Sequence, residues 1–256
     1  MDPTTKAIIE ATGHAVNLAV EQGWFSKLLN ALKKKHRILV LGSTGVGKTN
    51  LLESLKAIVP PAISAMSRTE FVEKRGFKIE TEPFIFIDTP GQIGHKARRR
   101  DAIREAMRDG ISGVINVVAY GYHEHRSGHE EAFDSTGKVS ESYLTTHRDL
   151  EIALLSEWTG LLGDERTAGW LMTVVTKADL WWGRRKEVDE YYRNADGAYA
   201  KAIQVAGDLN PITVDYFSVF HKFYGQGELS GLLDDTDRVR MRSDLLLSLL
   251  AGVADK

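Results

Sequence analysis

Arg37-Ile38-Leu39-Val40-Leu41-Gly42-Ser43-Thr44-Gly45-Val46-Gly47-Lys48-Thr49 is the stretch that decides the fold. Arg37–Leu41 is too short for a helix and rich in branched apolar side chains, as a buried strand should be. Gly42–Thr49 satisfies G-x-x-x-x-G-K-[ST], and Thr49–Ala57 after it reads as a helix, the context the motif requires. Glycines permit backbone angles and close approach that side chains forbid, so successive N–H groups can converge on phosphate oxygens. Gly42, Ser43, Thr44, Gly45, Val46 and Gly47 would form that cradle. Lys48 can reach the terminal phosphates, the Thr49 hydroxyl can ligate a divalent cation, and the helix directs its positive end at the anion.

Outward from this loop the same rhythm repeats. Phe84–Ile87, Gly113–Ala119, Leu171–Val175 and Ile212–Phe217 are further short apolar runs. Helical stretches are expected at Arg98–Arg108, Ser142–Leu161, Lys186–Ala206 and Asp237–Leu250. Strands alternating with helices imply βαβ crossovers and a three-layer α/β domain with a mostly parallel sheet flanked by helices. That places a nucleotide-binding domain at 36–256. Residues 1–35 form an N-terminal amphipathic helical extension, and the polar stretch near 120–147 reads as an insertion.

Composition removes several alternatives. The 256 residues contain no cysteine, which excludes disulfides, thiolate metal sites and cysteine nucleophiles. Lys and Arg (33) nearly balance Asp and Glu (35), so there is no strong nucleic-acid signal. No run is long and apolar enough to span a bilayer, and Met1–Glu10 lacks the basic start and apolar core of a secretory signal. A cytoplasmic location is expected, with peripheral membrane contact as the alternative.

A phosphate loop alone does not choose the nucleotide. Phe84–Ile87 ends in Asp88-Thr89-Pro90-Gly91-Gln92, where a carboxylate at the carboxyl end of a strand beside the loop is placed to hold a Mg²⁺ shell. Thr176-Lys177-Ala178-Asp179 directly follows Leu171–Val175. With these three elements the chain resembles the translation-factor-class P-loop GTPases. The spacing from Lys48 to Asp88 is similar to small Ras-like and Arf-like members, and the D-T-P-G wording to Era-type ones.

The resemblance implies GTP or GDP as ligand and Mg²⁺ as cofactor. It implies that Asp179 accepts the ring and exocyclic N–H groups of guanine, with the Lys177 stem against the base. Thr176 stands where many relatives carry Asn, so one bracing amide is missing. Ser218 and Val219 are similar to the loop that touches the guanine carbonyl. Gly91 would offer an N–H to the γ-phosphate. Thr69 is the expected switch threonine, and with Thr49 and Asp88 it would manage Mg²⁺. Gln92 would orient the attacking water, which makes Gln92, Lys48 and Thr69 the catalytic set. The implied function is a Mg²⁺-dependent GTP-hydrolysing switch. Two readings stay open beside it: a nucleotide-binding structural or assembly module with little turnover, and an ATP-using P-loop enzyme.

Three features have plainer uses. Lys96, Arg98, Arg99, Arg100 and Arg104 interleave with Asp101, Glu105 and Asp109, which reads as a solvated helix. His123, Glu124, His125, His129 and Glu130 crowd the insertion without defined helical spacing, so a contact with an effector, an activating protein or a second copy of the chain is preferred to a metal site. The N-terminal helix could meet lipid, a partner or its own domain, and packing against protein is preferred.

Overall fold

The computed structural model describes residues 3–21, 25–67, 83–89, 96–125, 128–165, 169–204, 210–218, 222–225 and 232–254. Helices α1 (Pro3–Glu21) and α2 (Phe25–Ala31) precede strand β1 (His36–Leu41) and helix α3 (Lys48–Ser67). Then come β2 (Phe84–Asp88), α4 (Lys96–Arg108), β3 (Gly113–Val118), the one-turn α5 (His129–Ala132) and the long α6 (Glu141–Glu165). The chain continues through β4 (Trp170–Val175), the short α7 (Ala178–Trp181), α8 (Arg185–Arg193), α9 (Ala198–Gln204), β5 (Asn210–Tyr216) and α10 (Asp235–Ala254).

The five strands form one sheet in the order β2-β1-β3-β4-β5, and every described pairing is parallel. Both faces are covered, as an all-parallel sheet requires. Along β1 the side chains alternate. Leu39 and Leu41 join Ile103 and Met107 of α4 and Leu154 and Trp158 of α6 on one face. Ile38 and Val40 join the opposite core, which holds Ile8, Leu29, Leu55 and Leu249 from α1, α2, α3 and α10. The expected three-layer α/β architecture and N-terminal helix are thus present, and α1 packs directly on α3 and α10.

Three local expectations change. The helix after the phosphate loop runs to Ser67, through Pro60 and Pro61. The single helix expected over 186–206 is two, because Asn194 leaves the helical region and its side chain accepts the Asp196 N–H at 3.0 Å in an Asx turn. The long α6 begins at Glu141, one residue before the helix expected from Ser142, so the last residues of the expected insertion belong to that helix. A short strand is also expected at Glu70–Glu73, just after Thr69, and it lies outside the described residues.

Candidate functional site

The loop after β1 lies at the carboxyl ends of neighbouring strands, where open α/β sheets bind their ligands. At Gly42 (φ +152°) a Cβ would sit 2.7 Å from the Val117 carbonyl oxygen of β3. At Gly45 (φ +79°) it would sit 2.3 Å from the backbone oxygen of Glu124. Glycine at these two positions is therefore a packing requirement as well as a dihedral one. Lys48 opens α3 and folds back over the loop, donating to the Gly42 carbonyl at 2.7 Å and the Ser43 carbonyl at 3.3 Å. Burial holds its ammonium below the usual lysine range, and the nearby Asp88 carboxylate opposes that shift.

Asp88 ends β2 and pairs in register with Val40, one residue before β1 ends. Thr89 follows, and both its N–H and its hydroxyl donate to the Val40 carbonyl, at 3.3 and 3.0 Å. Thr49, in the first turn of α3, and Asp88 are both exposed oxygen donors. That donor chemistry fits a hard divalent cation such as Mg²⁺.

The residues after β4, expected to read the base, lie against the phosphate loop and the end of β5. Thr176 follows β4, and its hydroxyl is in hydrogen-bond contact with the Val46 carbonyl of the phosphate loop and, at 3.0 Å, the Val118 carbonyl. A hydroxyl therefore links these two loops at the place where the sequence lacks the asparagine amide of many relatives. Lys177 adopts a left-handed conformation (φ +56°). The buried Ser218 hydroxyl donates to Asp179 Oδ1 at 2.6 Å, fixing a carboxylate that is itself only 6% exposed. Trp181 is fully buried, and its indole N–H donates to the Thr176 carbonyl at 2.7 Å, so it supports the loop after β4 from beneath.

The sequence marked the loop that follows β3 but not its tie to the phosphate loop. Glu124 pairs with Lys177 at 2.7 Å, accepts the Tyr224 N–H at 2.8 Å, and sends its own N–H toward the Gly45 carbonyl. Burial pulls the Lys177 ammonium down and Glu124 pulls it back up. Behind this loop lies the buried Glu151 of α6. Its Oε1 accepts from the Ala119 N–H (2.8 Å), the Gly121 N–H (3.4 Å) and His123 Nε2 (2.8 Å), and its Oε2 from the Tyr192 hydroxyl (2.6 Å). With Nε2–H donated to a carboxylate, His123 Nδ1 is the acceptor for the Ser43 hydroxyl at 3.2 Å. An unbroken chain of hydrogen bonds thus runs from α6 into the phosphate loop. The available signal was topological: β3 neighbours β1, so residues just past β3 must lie beside residues just past β1.

Of the basic stretch, Arg99 is buried and faces Glu157 of α6 at 3.6 Å, so that helix is not solvated all round. Thr69, Gly91, Gln92 and Val219 lie outside the described residues.

Residues 37–152, just under half of the chain, match the family described as 50S ribosome-binding GTPase. The fold is that of a P-loop GTPase. The match supports GTP binding. A crystal structure of sup35 complexed with GDP is similar at 18% identity and a TM-score of 0.34, over 73% of this chain. This chain covers only 37% of that one, and at this TM-score the likeness carries no weight for function. No curated protein matches. Among the described residues no helix is long and apolar enough to cross a membrane.

Proposed function

We propose that this chain is a Mg²⁺-dependent switch that binds and hydrolyses GTP. The observation that supports it best is the joining of base loop to phosphate loop, with Thr176 on Val46 and Asp179 braced by Ser218. In this reading Lys48 and the amides of 42–49 hold the phosphates, and Asp179 accepts the guanine N–H groups that adenine cannot offer. Thr49, Asp88 and Thr69 hold Mg²⁺, directly or through water. When bound, the cation supplies charge neutralisation at the phosphate oxygens. Gln92 orients water for in-line attack, and the Gly91 N–H meets the γ-phosphate. The segments around Thr69 and Gly91 order with GTP. With residues 120–147 they form the surface read by an effector, an activating protein or a second copy of the chain. Contact of the N-terminal helix with a membrane surface is the alternative to its packing on the domain.

Nucleotide-free protein titrated with GTP, GDP and ATP, with and without Mg²⁺, tests this. Guanine nucleotides should bind preferentially, and Asp179→Ala should weaken them by about 100-fold, the cost of a buried charge-assisted pair. Gln92→Ala should slow turnover by about 10-fold or more at nearly unchanged GTP affinity. Equal or better ATP binding defeats the reading. Tight guanine binding with no turnover, unaffected by Gln92→Ala, replaces the switch with a structural module.

A further inference from the structure

We propose that His123, His125 and His147 form a transition-metal site of the zinc class beside the phosphate loop. One imidazole nitrogen from each lies within 4.8 Å of the other two. Tetrahedral nitrogen ligands at about 2.1 Å from a shared ion stand about 3.4 Å apart, so the three nitrogens lie close to the spacing that such an ion needs. His123 and His125 share the loop after β3, while His147 comes from the second turn of α6, on the other side of the gap. The sequence grouped His125 with His129, but His129 is exposed and packs its ring on Phe133 and Tyr224 instead.

Two of the three imidazoles are already oriented in the way that metal-binding histidines are. His147 Nδ1 lies 2.9 Å from the Tyr143 backbone carbonyl, so it carries the proton and leaves Nε2 with a lone pair. His123 Nε2 donates to Glu151 at 2.8 Å, the carboxylate–histidine arrangement that raises ligand basicity and fixes the tautomer. Its remaining lone pair, on Nδ1, now meets only the Ser43 hydroxyl at 3.2 Å. Among the described residues no hydrogen bond to either ring nitrogen of His125 is seen. Three neutral imidazoles with no thiolate suit Zn²⁺, Co²⁺, Ni²⁺ or Cu²⁺ and not Mg²⁺, and three protein ligands leave a fourth position open. Lys177, whose charge acts on His125, is paired with Glu124, which limits its repulsion of an incoming ion. Occupation would displace the Ser43 hydroxyl from His123, connecting the metal to the phosphate loop whichever nucleotide that loop takes.

The full chain, stripped with chelator and free of nucleotide, is dialysed against Zn²⁺ in excess Mg²⁺, which saturates oxygen-donor sites. Bound zinc is measured directly, and Co²⁺ replaces it for visible ligand-field spectra. One ion per chain is expected, with a tetrahedral-type cobalt band. His125→Gln and His147→Gln, both at half-exposed positions, should each weaken binding by about 100-fold or more. His129→Gln should leave affinity and spectrum unchanged. Circular dichroism of each variant establishes that a loss of metal is not a loss of fold. The proposal fails if zinc does not bind stoichiometrically, if binding survives both ligand substitutions, or if His129→Gln abolishes it equally.

Discussion

At the scale of single residues, the site is governed by buried polar groups whose partners are counted out. Glu151 is 3% exposed and accepts four hydrogen bonds, three of them to one oxygen. A glutamine keeps the shape but loses the charge and presents an NH₂ group to the Tyr192 hydroxyl. Glu151→Gln should cost about 1–3 kcal/mol of stability by denaturant unfolding, and Glu151→Ala more, because donors are then left buried and unpaired. An unchanged urea midpoint in Glu151→Gln would show that the network contributes nothing net. Protons act on the same cluster. Burial, with repulsion from the neighbouring His123, His147 and Lys177, holds His125 down to about 4 from its ordinary 6.5. In metal-free protein the unfolded chain therefore takes up a proton at His125 between those two values while the folded chain does not. Stability gains the full contribution above pH 6.5 and loses it as pH falls toward about 4. His125→Gln should flatten that part of the stability curve, and an identical slope in wild type and variant would refute the assignment.

At the scale of elements, what could be read in the sequence was whatever repeats with a period or must sit at a strand end. The five strands declared themselves as short branched runs, and Gly42–Thr49, Asp88 and Thr176–Asp179 fell at the carboxyl ends of three of them. Glu124, His123 and Glu151 carried no such mark, because their partnership is fixed by how α6 lies across the sheet and not by spacing. Trp181 likewise carried no mark of its place under the loop after β4, where its indole N–H donates to the Thr176 carbonyl. Gly113 makes the same point for packing. It opens β3 as one more small residue in the sequence, yet a Cβ there would lie 2.0 Å from the indole of Trp170 at the start of β4. Trp170 is 2% exposed and enclosed by core, so the ring has little room to yield. Gly113→Ala should therefore destabilise the sheet by about 1–3 kcal/mol, the range for overpacking a filled core. Thermal unfolding reads it directly, and a neutral or stabilising substitution would mean that the ring has a second low-energy rotamer.

At the scale of the whole molecule, the N-terminal helix connects the two ends of the chain to the site. α1 lies on α3, whose first residue is the phosphate-loop Lys48, and on α10, the last helix described. Ile8 is fully buried in the core that α1 shares with β1 and α3, and Leu28, Leu29 and Leu32 around α2 are buried with it. An apolar face used this way is not available to a bilayer while the domain is folded, so stability and lipid binding make opposite demands on Ile8. If α1 is a structural brace, Ile8→Ala leaves a cavity and lowers unfolding free energy by about 2–4 kcal/mol, with the denaturant slope unchanged. Wild-type protein should then fail to float with anionic vesicles in either nucleotide state. If instead α1 releases to meet lipid, wild type floats with one nucleotide, and Ile8→Ala weakens flotation while costing little stability. The two measurements separate the alternatives, because truncating one buried side chain cannot both leave the fold unharmed and have been part of its core.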